Sequence, residues 1–300
     1  MREYPRTIGE LLKRFPDEAS CRDYLEKIRW PSGVQCPRCQ SMRLWRRMNR
    51  PLLKCADCDF QISILAGTIF QDTKISLDIW FQAIWWLTNQ KTGISAIGLQ
   101  RAVGIKRHET AWRILHKLRL AMVRPHQDRL SGAIEVDEVF LGGENNKQLI
   151  GVAAQIDGKK TGRIRMEKIT DRSGPVLQGF VAKYINPGST VVTDGLNSYC
   201  GVRNQGYLHQ PMKKPYSWEE KEGDADELLP RVHRVASLLK RWYYGTYHGR
   251  IDPMNLDTYL NEFTFRFNRR TSTSRGLLFY RVLENAVAKD PSPYAPQKMI

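Results

Sequence analysis

Three side chains fall in an order that suits phosphoryl chemistry. Asp137 lies inside a strand-like run, Ile134-Glu135-Val136-Asp137-Glu138-Val139-Phe140-Leu141. Asp194 follows a second run, Thr190-Val191-Val192-Thr193, and His233 opens a helix-like stretch that continues to Trp242. An acid on one strand, an acid at the end of another and a ligand on a following helix can converge on a pair of divalent ions, the arrangement that serves cutting and joining of phosphodiester bonds. Paired carboxylates supply the hard oxygen ligands that Mg²⁺ takes.

A second set is sulfur. Cys36-Pro37-Arg38-Cys39 and Cys55-Ala56-Asp57-Cys58 are separated by fifteen residues, and two C-x-x-C pairs at that spacing form a zinc pattern. Each pair places two thiolates on one face of a tight turn. Arg43–Arg46 and Leu52–Lys54 can pair as a hairpin that brings the turns together. Four thiolates close a tetrahedral shell with no open position, so the Zn²⁺ is expected to be structural; a redox dithiol needs only one pair. Arg38, Arg43, Arg46, Arg47, Arg50 and Lys54 make this segment basic, which reads either as DNA contact or as a solvated face.

The composition narrows the partner. With 41% hydrophobic and 26% charged residues over 300 positions, the chain can build two globular domains. Its net charge of +16 calls for a polyanion, and double-stranded DNA is the expected one. Membrane binding would concentrate the charge on one amphipathic helix, whereas here Lys and Arg are spread along the chain. No apolar run approaches the roughly 18 residues of a membrane span, and Met1–Arg6 lacks a signal-peptide core. The expected location is cytoplasmic, associated with the nucleoid. Six cysteines there do not imply disulfides.

The elements that must position these groups follow from periodicity. Residues 7–28 read as helical, and Trp30-Pro31-Ser32-Gly33 breaks that pattern. Residues 76–124 read as all helical, with Trp80, Phe81, Trp85 and Trp86 as core. Ser95 is placed to cap a short helix carrying Ile97, Leu99 and Val103, Gly104-Ile105 turns the chain, and a longer helix follows. This resembles a DNA-binding helix-turn-helix, with Lys106, Arg107, His108 and Arg113 at the start of the second helix; an ordinary helical hairpin is the alternative. From about residue 131 the pattern turns to short strands: Ala133–Leu141, Leu149–Ile156, Arg163–Ile169 and Thr190–Thr193. Asp157–Lys160 forms a hairpin turn, Pro175–Tyr184 a helix, Tyr207–His209 a fifth strand and 230–244 a helix after a charged insertion, Lys213–Asp226. That order matches the α/β ribonuclease-H-like fold, in which the first and fourth strands are neighbours. The expected domains are an N-terminal helical segment (1–30), a zinc ribbon (31–70), a helical helix-turn-helix region (71–128), a ribonuclease-H-like domain (129–288) and a tail (289–300).

The zinc ribbon, the Asp137 strand, Thr193-Asp194-Gly195, Leu238–His248 and Tyr259–Arg270 together resemble bacterial insertion-sequence transposases of the ISXO-like group, over roughly residues 10–285. The resemblance implies a DDE-type transposase that binds terminal inverted repeats, excises a mobile element and inserts it elsewhere. Such enzymes have Glu at the third metal position with Lys seven residues later. Here Lys240 is present and His233 stands seven residues before it. Histidine removes one negative charge and tilts the site from Mg²⁺ toward Mn²⁺. Glu262 is a candidate supporting carboxylate, because Glu262, Arg266 and Arg269 share a helix face; an intrahelical ion pair with Arg266 is the alternative. Lys240, Arg241, Arg266 and Arg269 are candidate DNA contacts.

Of the remaining acids, Glu135 and Glu138 are expected as solvated edge charges, Glu135 on the face of Asp137, and Asp157 and Asp171 as turn residues. His248 has a surface or capping role, or lies near the site. Two other functions stay open: a degenerate transposase, or a zinc-ribbon and helix-turn-helix regulator without catalysis. Two acids facing phosphate argue against the regulator. Synapsis of two DNA ends calls for a homodimer or larger assembly.

Overall fold

The computed structural model describes residues 3–46, 52–123, 128–143, 146–212 and 228–288. The insertion Lys213–Asp226, the tail 289–300, and Arg47 and Arg50 lie outside the described residues. The chain divides into two compact units, Met1–Pro125 with Ser272–Ile300, and His126–Thr271.

In the first unit, residues 7–28 make two helices, α1 (Ile8–Arg14) and α2 (Glu18–Arg29), where one helical stretch was expected. Pro16 is the reason: the residue before a proline is pushed out of the α region. Asp17 restarts the helix by accepting the Ser20 amide at 2.8 Å. A small antiparallel sheet follows, β1 (Leu44–Arg46), β2 (Leu52–Cys55) and β3 (Gln61–Ser63), with Leu44 opposite Cys55 and Arg46 opposite Leu53. Helix α3 (Leu77–Asn89) buries Trp80, Phe81 and Trp85. Ser95 caps α4 (Ala96–Val103) by accepting the Gly98 amide at 3.1 Å, and Gly104 ends it with φ 72°. Helix α5 is His108–Ala121.

The last described helix, α9 (Arg275–Ala288), corrects the expected boundary at 288: it belongs to the first unit. Its Phe279 packs edge-on against Phe81 at 5.6 Å and against Trp85 at 6.1 Å. Asn285 donates to the Ala121 carbonyl at 2.9 Å. Among the described residues, no helix is long and apolar enough to cross a membrane.

The second unit is a five-stranded sheet covered on both faces. Its strands are β4 (Ala133–Leu141), β5 (Gln148–Asp157), β6 (Lys160–Ile169), β7 (Thr190–Thr193) and β8 (Leu208–Pro211), in spatial order β6-β5-β4-β7-β8. The first three pair antiparallel, with Gly158-Lys159 as the turn between β5 and β6; β7 and β8 add parallel to β4. Ile134 and Val136 point into one core with Leu177 and Phe180 of α6 (Gly174–Tyr184) and with Tyr199. Val139 and Leu141 point into the other, with α7 (Pro230–Tyr247) and α8 (Leu256–Phe267). Gly151 admits α6 closely, since a Cβ there would sit 3.0 Å from the Phe180 ring. By period-2 alternation, Glu135 and Asp137 face α7, while Glu138 and Phe140 face the α6 layer.

Candidate active site and metal centre

The four cysteines converge. Cys36 Sγ lies 3.5 Å from Cys58 Sγ and Cys39 Sγ lies 3.4 Å from Cys55 Sγ, with all four sulfurs within 4.8 Å of one another. Tetrahedral Zn–S bonds place sulfurs roughly 3.8 Å apart, so the cluster fits Zn²⁺ and is far too open for disulfides. Each turn closes alike: Gln40 (φ 62°) follows Cys39 and Asp59 (φ 60°) follows Cys58. Their amides donate to the carbonyls of Cys36 and Cys55 at 2.8 and 3.2 Å. Several of the basic side chains here are held by acids: Arg43 by Asp57 at 2.9 Å, Arg46 by Asp23 and Glu26 at 2.7 and 2.8 Å, and Lys54 by Asp59 at 2.6 Å.

In the second unit, strand register carries two acids toward one end of the sheet. β4 and β7 pair Ala133 with Thr190, Ile134 with Val191 and Glu135 with Val192. The pairing ends there and β7 ends at Thr193; continued two residues, the same register would set Asp137 level with Asp194 across a strand spacing of about 4.8 Å. Gly195, at φ 87°, turns the chain away directly after the acid, which explains the Asp-Gly pair. Asp194 is exposed and accepts the Leu196 amide at 3.0 Å. The Asp137 side chain is 17% exposed, and its Oδ2 lies 3.5 Å from His233 Nε2. Burial pushes the Asp137 carboxyl upward; the Glu138 amide, donating at 2.7 Å, draws it back, and the charge of Asp194 pushes it up again.

Glu135 corrects the expectation of a solvated edge charge. It is 2% exposed and caps α7 from across the sheet. One carboxylate oxygen accepts the Arg231 and Val232 amides at 2.7 and 3.0 Å, and the other accepts the Arg231 guanidinium at 2.9 Å. The N-cap of α7 is Leu229, which has no side-chain oxygen, so the missing acceptor comes from β4. This lock holds the first turn of α7, and with it His233, against the strand that carries Asp137. Glu138 is likewise buried, not an edge charge. It accepts a short hydrogen bond from the Tyr199 hydroxyl and pairs with Arg172 Nε at 3.2 Å. Burial raises the Glu138 carboxyl, as it does the Tyr199 hydroxyl beside it.

Glu262 is not brought to this cluster. It is 0% exposed, paired with Arg266 at 2.9 Å, and it accepts from the Tyr247 hydroxyl at 3.3 Å. Tyr247 stands fourteen residues beyond His233 on α7, about 21 Å along the axis, so this partner of Glu262 lies toward the opposite end of that helix from His233. The Arg266 side chain, only 14% exposed, is committed to that pair and not to a DNA surface. Arg269 is half-buried over the Phe265 ring at 4.0 Å. Lys240 and Arg241 are exposed on α7; Lys240 lies two turns along the face of His233. His248 ends α7 at φ 53°, and Asp171 is a turn residue accepting the Ser173 amide at 2.7 Å. Lys106, Arg107, His108 and Arg113 are all exposed at the start of α5. Sequence reasoning missed Arg172, Tyr199 and Arg231; only the period-2 spacing of Glu135 and Asp137 hinted at the shared face.

Residues 129–268 match the ISXO2-like transposase domain, and residues 16–61 match the transposase zinc-ribbon domain. The chain thus carries an ISXO2-like transposase domain and a transposase zinc-ribbon domain. The transposase is 29% identical over 281 residues to the uncharacterized protein in transposable element ISH50 of Halobacterium salinarum, covering 85% of this chain and 92% of that protein. Among solved structures, a chain of the simian T-cell lymphotropic virus intasome in complex with the PP2A regulatory subunit B56 gamma aligns over 66% of the transposase and 72% of that chain. The identity is 16% and the TM-score 0.34.

Proposed function

We propose that this transposase cuts DNA at the ends of its insertion sequence and joins those ends to target DNA by metal-dependent phosphoryl transfer, on a ribonuclease-H-like fold. The observation that supports the reading is the parallel pairing of β4 with β7, which if continued two residues would bring Asp137 level with Asp194 just beyond β7, together with His233 3.5 Å from Asp137. The strand order β6-β5-β4-β7-β8, antiparallel for the first three and parallel for the last two, supports the fold assignment.

The donor set fits Mg²⁺ or Mn²⁺: two carboxylates and one imidazole, the more buried acid carrying charge that a shared cation relieves. Such ions, when bound, activate the attacking water or DNA 3′-hydroxyl and stabilise the leaving 3′-oxygen. Asp137 from β4 and Asp194 from just beyond β7 would hold such ions, and His233 would ligate from α7. Glu135 fixes the helix that presents the imidazole. Lys240, exposed on the same helix face, takes a backbone phosphate near the scissile bond. Helix α5 lays Lys106, Arg107, His108 and Arg113 on the DNA of the terminal repeat. Because two ends react together, two copies act on one DNA complex.

A supercoiled-plasmid transposition assay tests the reading. Wild type gives metal-dependent products, while Asp137→Ala and Asp194→Ala give none yet still bind DNA. Equal products from all three would remove the acids from the chemistry.

A further inference from the structure

A continuous run of hydrogen bonds joins the two acids. Asp194 Oδ1 accepts the Leu196 amide at 3.0 Å, the Leu196 carbonyl accepts the Tyr199 amide at 3.0 Å, and the Tyr199 hydroxyl donates to Glu138 Oε1. The Glu138 amide then donates to Asp137 Oδ1 at 2.7 Å. Glu138 therefore serves both acids: its backbone holds Asp137, and its side chain, on the opposite face of β4, holds the segment that follows Asp194. Tyr199 lies in the 3-10 helix Asn197–Gln205, 1% exposed and in one core with Ile134, Val136 and Val202. The second oxygen of Glu138 is paired with Arg172 Nε at 3.2 Å, which fixes the carboxylate. Thr193, fully buried just before Asp194, meets His209 Nε2 of β8 at 2.9 Å and accepts the Gly195 amide at 3.3 Å.

These ties matter because the β4–β7 ladder stops at Glu135 and Val192, two positions short of either acid. Asp194 is exposed and stands directly before the turn at Gly195. A carboxylate on an unsupported turn would have to be ordered each time an ion binds. A divalent ion such as Mg²⁺ takes its oxygens at about 2.1 Å in a near-octahedral array, so the gap between two carboxylates must be closely set. We infer that Tyr199 and Glu138 are positioning residues that set this gap: their hydroxyl–carboxylate bond holds the Asp194 turn against β4 in the arrangement that lets one cation bind both acids. The inference rests on the reading of Asp137 and Asp194 as metal-binding acids and names what holds them together for that purpose. Tyr199 and Glu138 act through the acids and take no part in ligation.

The test uses the full, zinc-loaded chain without DNA. Mn²⁺ is titrated and its free concentration read from its electron paramagnetic resonance signal, below every variant's unfolding midpoint. Wild type is expected to hold Mn²⁺ at a site that Asp137→Ala and Asp194→Ala both abolish. Tyr199→Phe, which removes one oxygen and keeps the ring, is expected to raise the dissociation constant at least about tenfold. Glu138→Ala is expected to do the same, and Glu138→Gln, whose amide oxygen still accepts the hydroxyl, to recover most of the loss. Cleavage of an element-end duplex by Tyr199→Phe should approach the wild-type rate at saturating Mn²⁺, whereas Asp194→Ala stays inactive. If both acid variants lose the site while Tyr199→Phe and Glu138→Ala bind as tightly as wild type, whatever their midpoints, the positioning inference falls alone. A loss in Glu138→Gln as large as in Glu138→Ala would assign the effect to charge and overturn it likewise. If wild type holds Mn²⁺ at no site that depends on both acids, the metal-binding reading falls and the inference with it.

Discussion

The carboxylate of Glu135, on β4, accepts the backbone amide of Val232, on α7, at 3.0 Å, and the same oxygen takes the Arg231 amide at 2.7 Å. A helix whose first turn contains no capping side chain is thus closed by an acid ninety-six and ninety-seven residues earlier in the chain. That acid stands two positions before Asp137 on the same face of the sheet. One strand therefore supplies both the carboxylate proposed for the chemistry and a carboxylate that fixes the helix bearing His233.

Replacing Glu135 with Ala leaves two amides and a guanidinium without their acceptor in a nearly closed site. Breaking a buried pair of this kind costs about 3 kcal/mol, which lowers the unfolding midpoint by roughly 6–12 °C at this size. Glu135→Gln keeps an oxygen for the amides and loses less than half of that. Thermal unfolding of the two variants beside wild type measures both; equal midpoints for Glu135→Ala and wild type would contradict the cap.

Glu262 is expected to act through stability, not metal. Glu262→Ala strands Arg266 in a buried position and is expected to cost about 3 kcal/mol, yet to leave the dependence of cleavage on Mn²⁺ concentration where it was below the new melting point. A rightward shift of the metal titration with an unchanged midpoint would return Glu262 to the active site.

The zinc account predicts thiol reactivity. Cys200 is exposed, Cys21 is buried, and the other four converge. In the native protein one thiol is expected to react promptly with a disulfide reagent, four more only after a zinc chelator is added, and Cys21 only on denaturation. One Zn²⁺ per chain by elemental analysis completes the test, and five promptly reactive thiols would count against it.

Arg107, exposed at the head of α5, is expected to meet DNA. Arg107→Ala should weaken binding to a terminal-repeat duplex and lower the slope of log K against log salt by about 1 if its partner is a phosphate. Loss of preference for one base pair with an unchanged slope would instead mark a base contact; neither change would remove α5 from the interface.

What could be read from the sequence was local. The C-x-x-C pairs, the Ser95 cap, the Gly158-Lys159 turn and the alternation around Asp137 each depend on neighbours within a few residues, and the structure has all four. The groups that were misread depend on partners far away. Glu135 and Glu138 looked like edge charges because Arg231, Arg172 and Tyr199 lie outside any local window. Helix α9 reads as amphipathic from its own periodicity, but nothing local says that Phe279 packs on α3. Glu262, Arg266 and Arg269 do share a helix face, and that face turns inward to Tyr247 and Phe265. The break at Pro16 is legible, although the apolar spacing continues through it.

The most direct measurement is an anomalous-difference map from crystals of the transposase with an element-end duplex soaked in Mn²⁺. The account predicts a peak bonded at about 2.2 Å to an oxygen of Asp137 and an oxygen of Asp194 together. A map with manganese on neither carboxylate, or with the two side chains binding separate ions and sharing none, would contradict it.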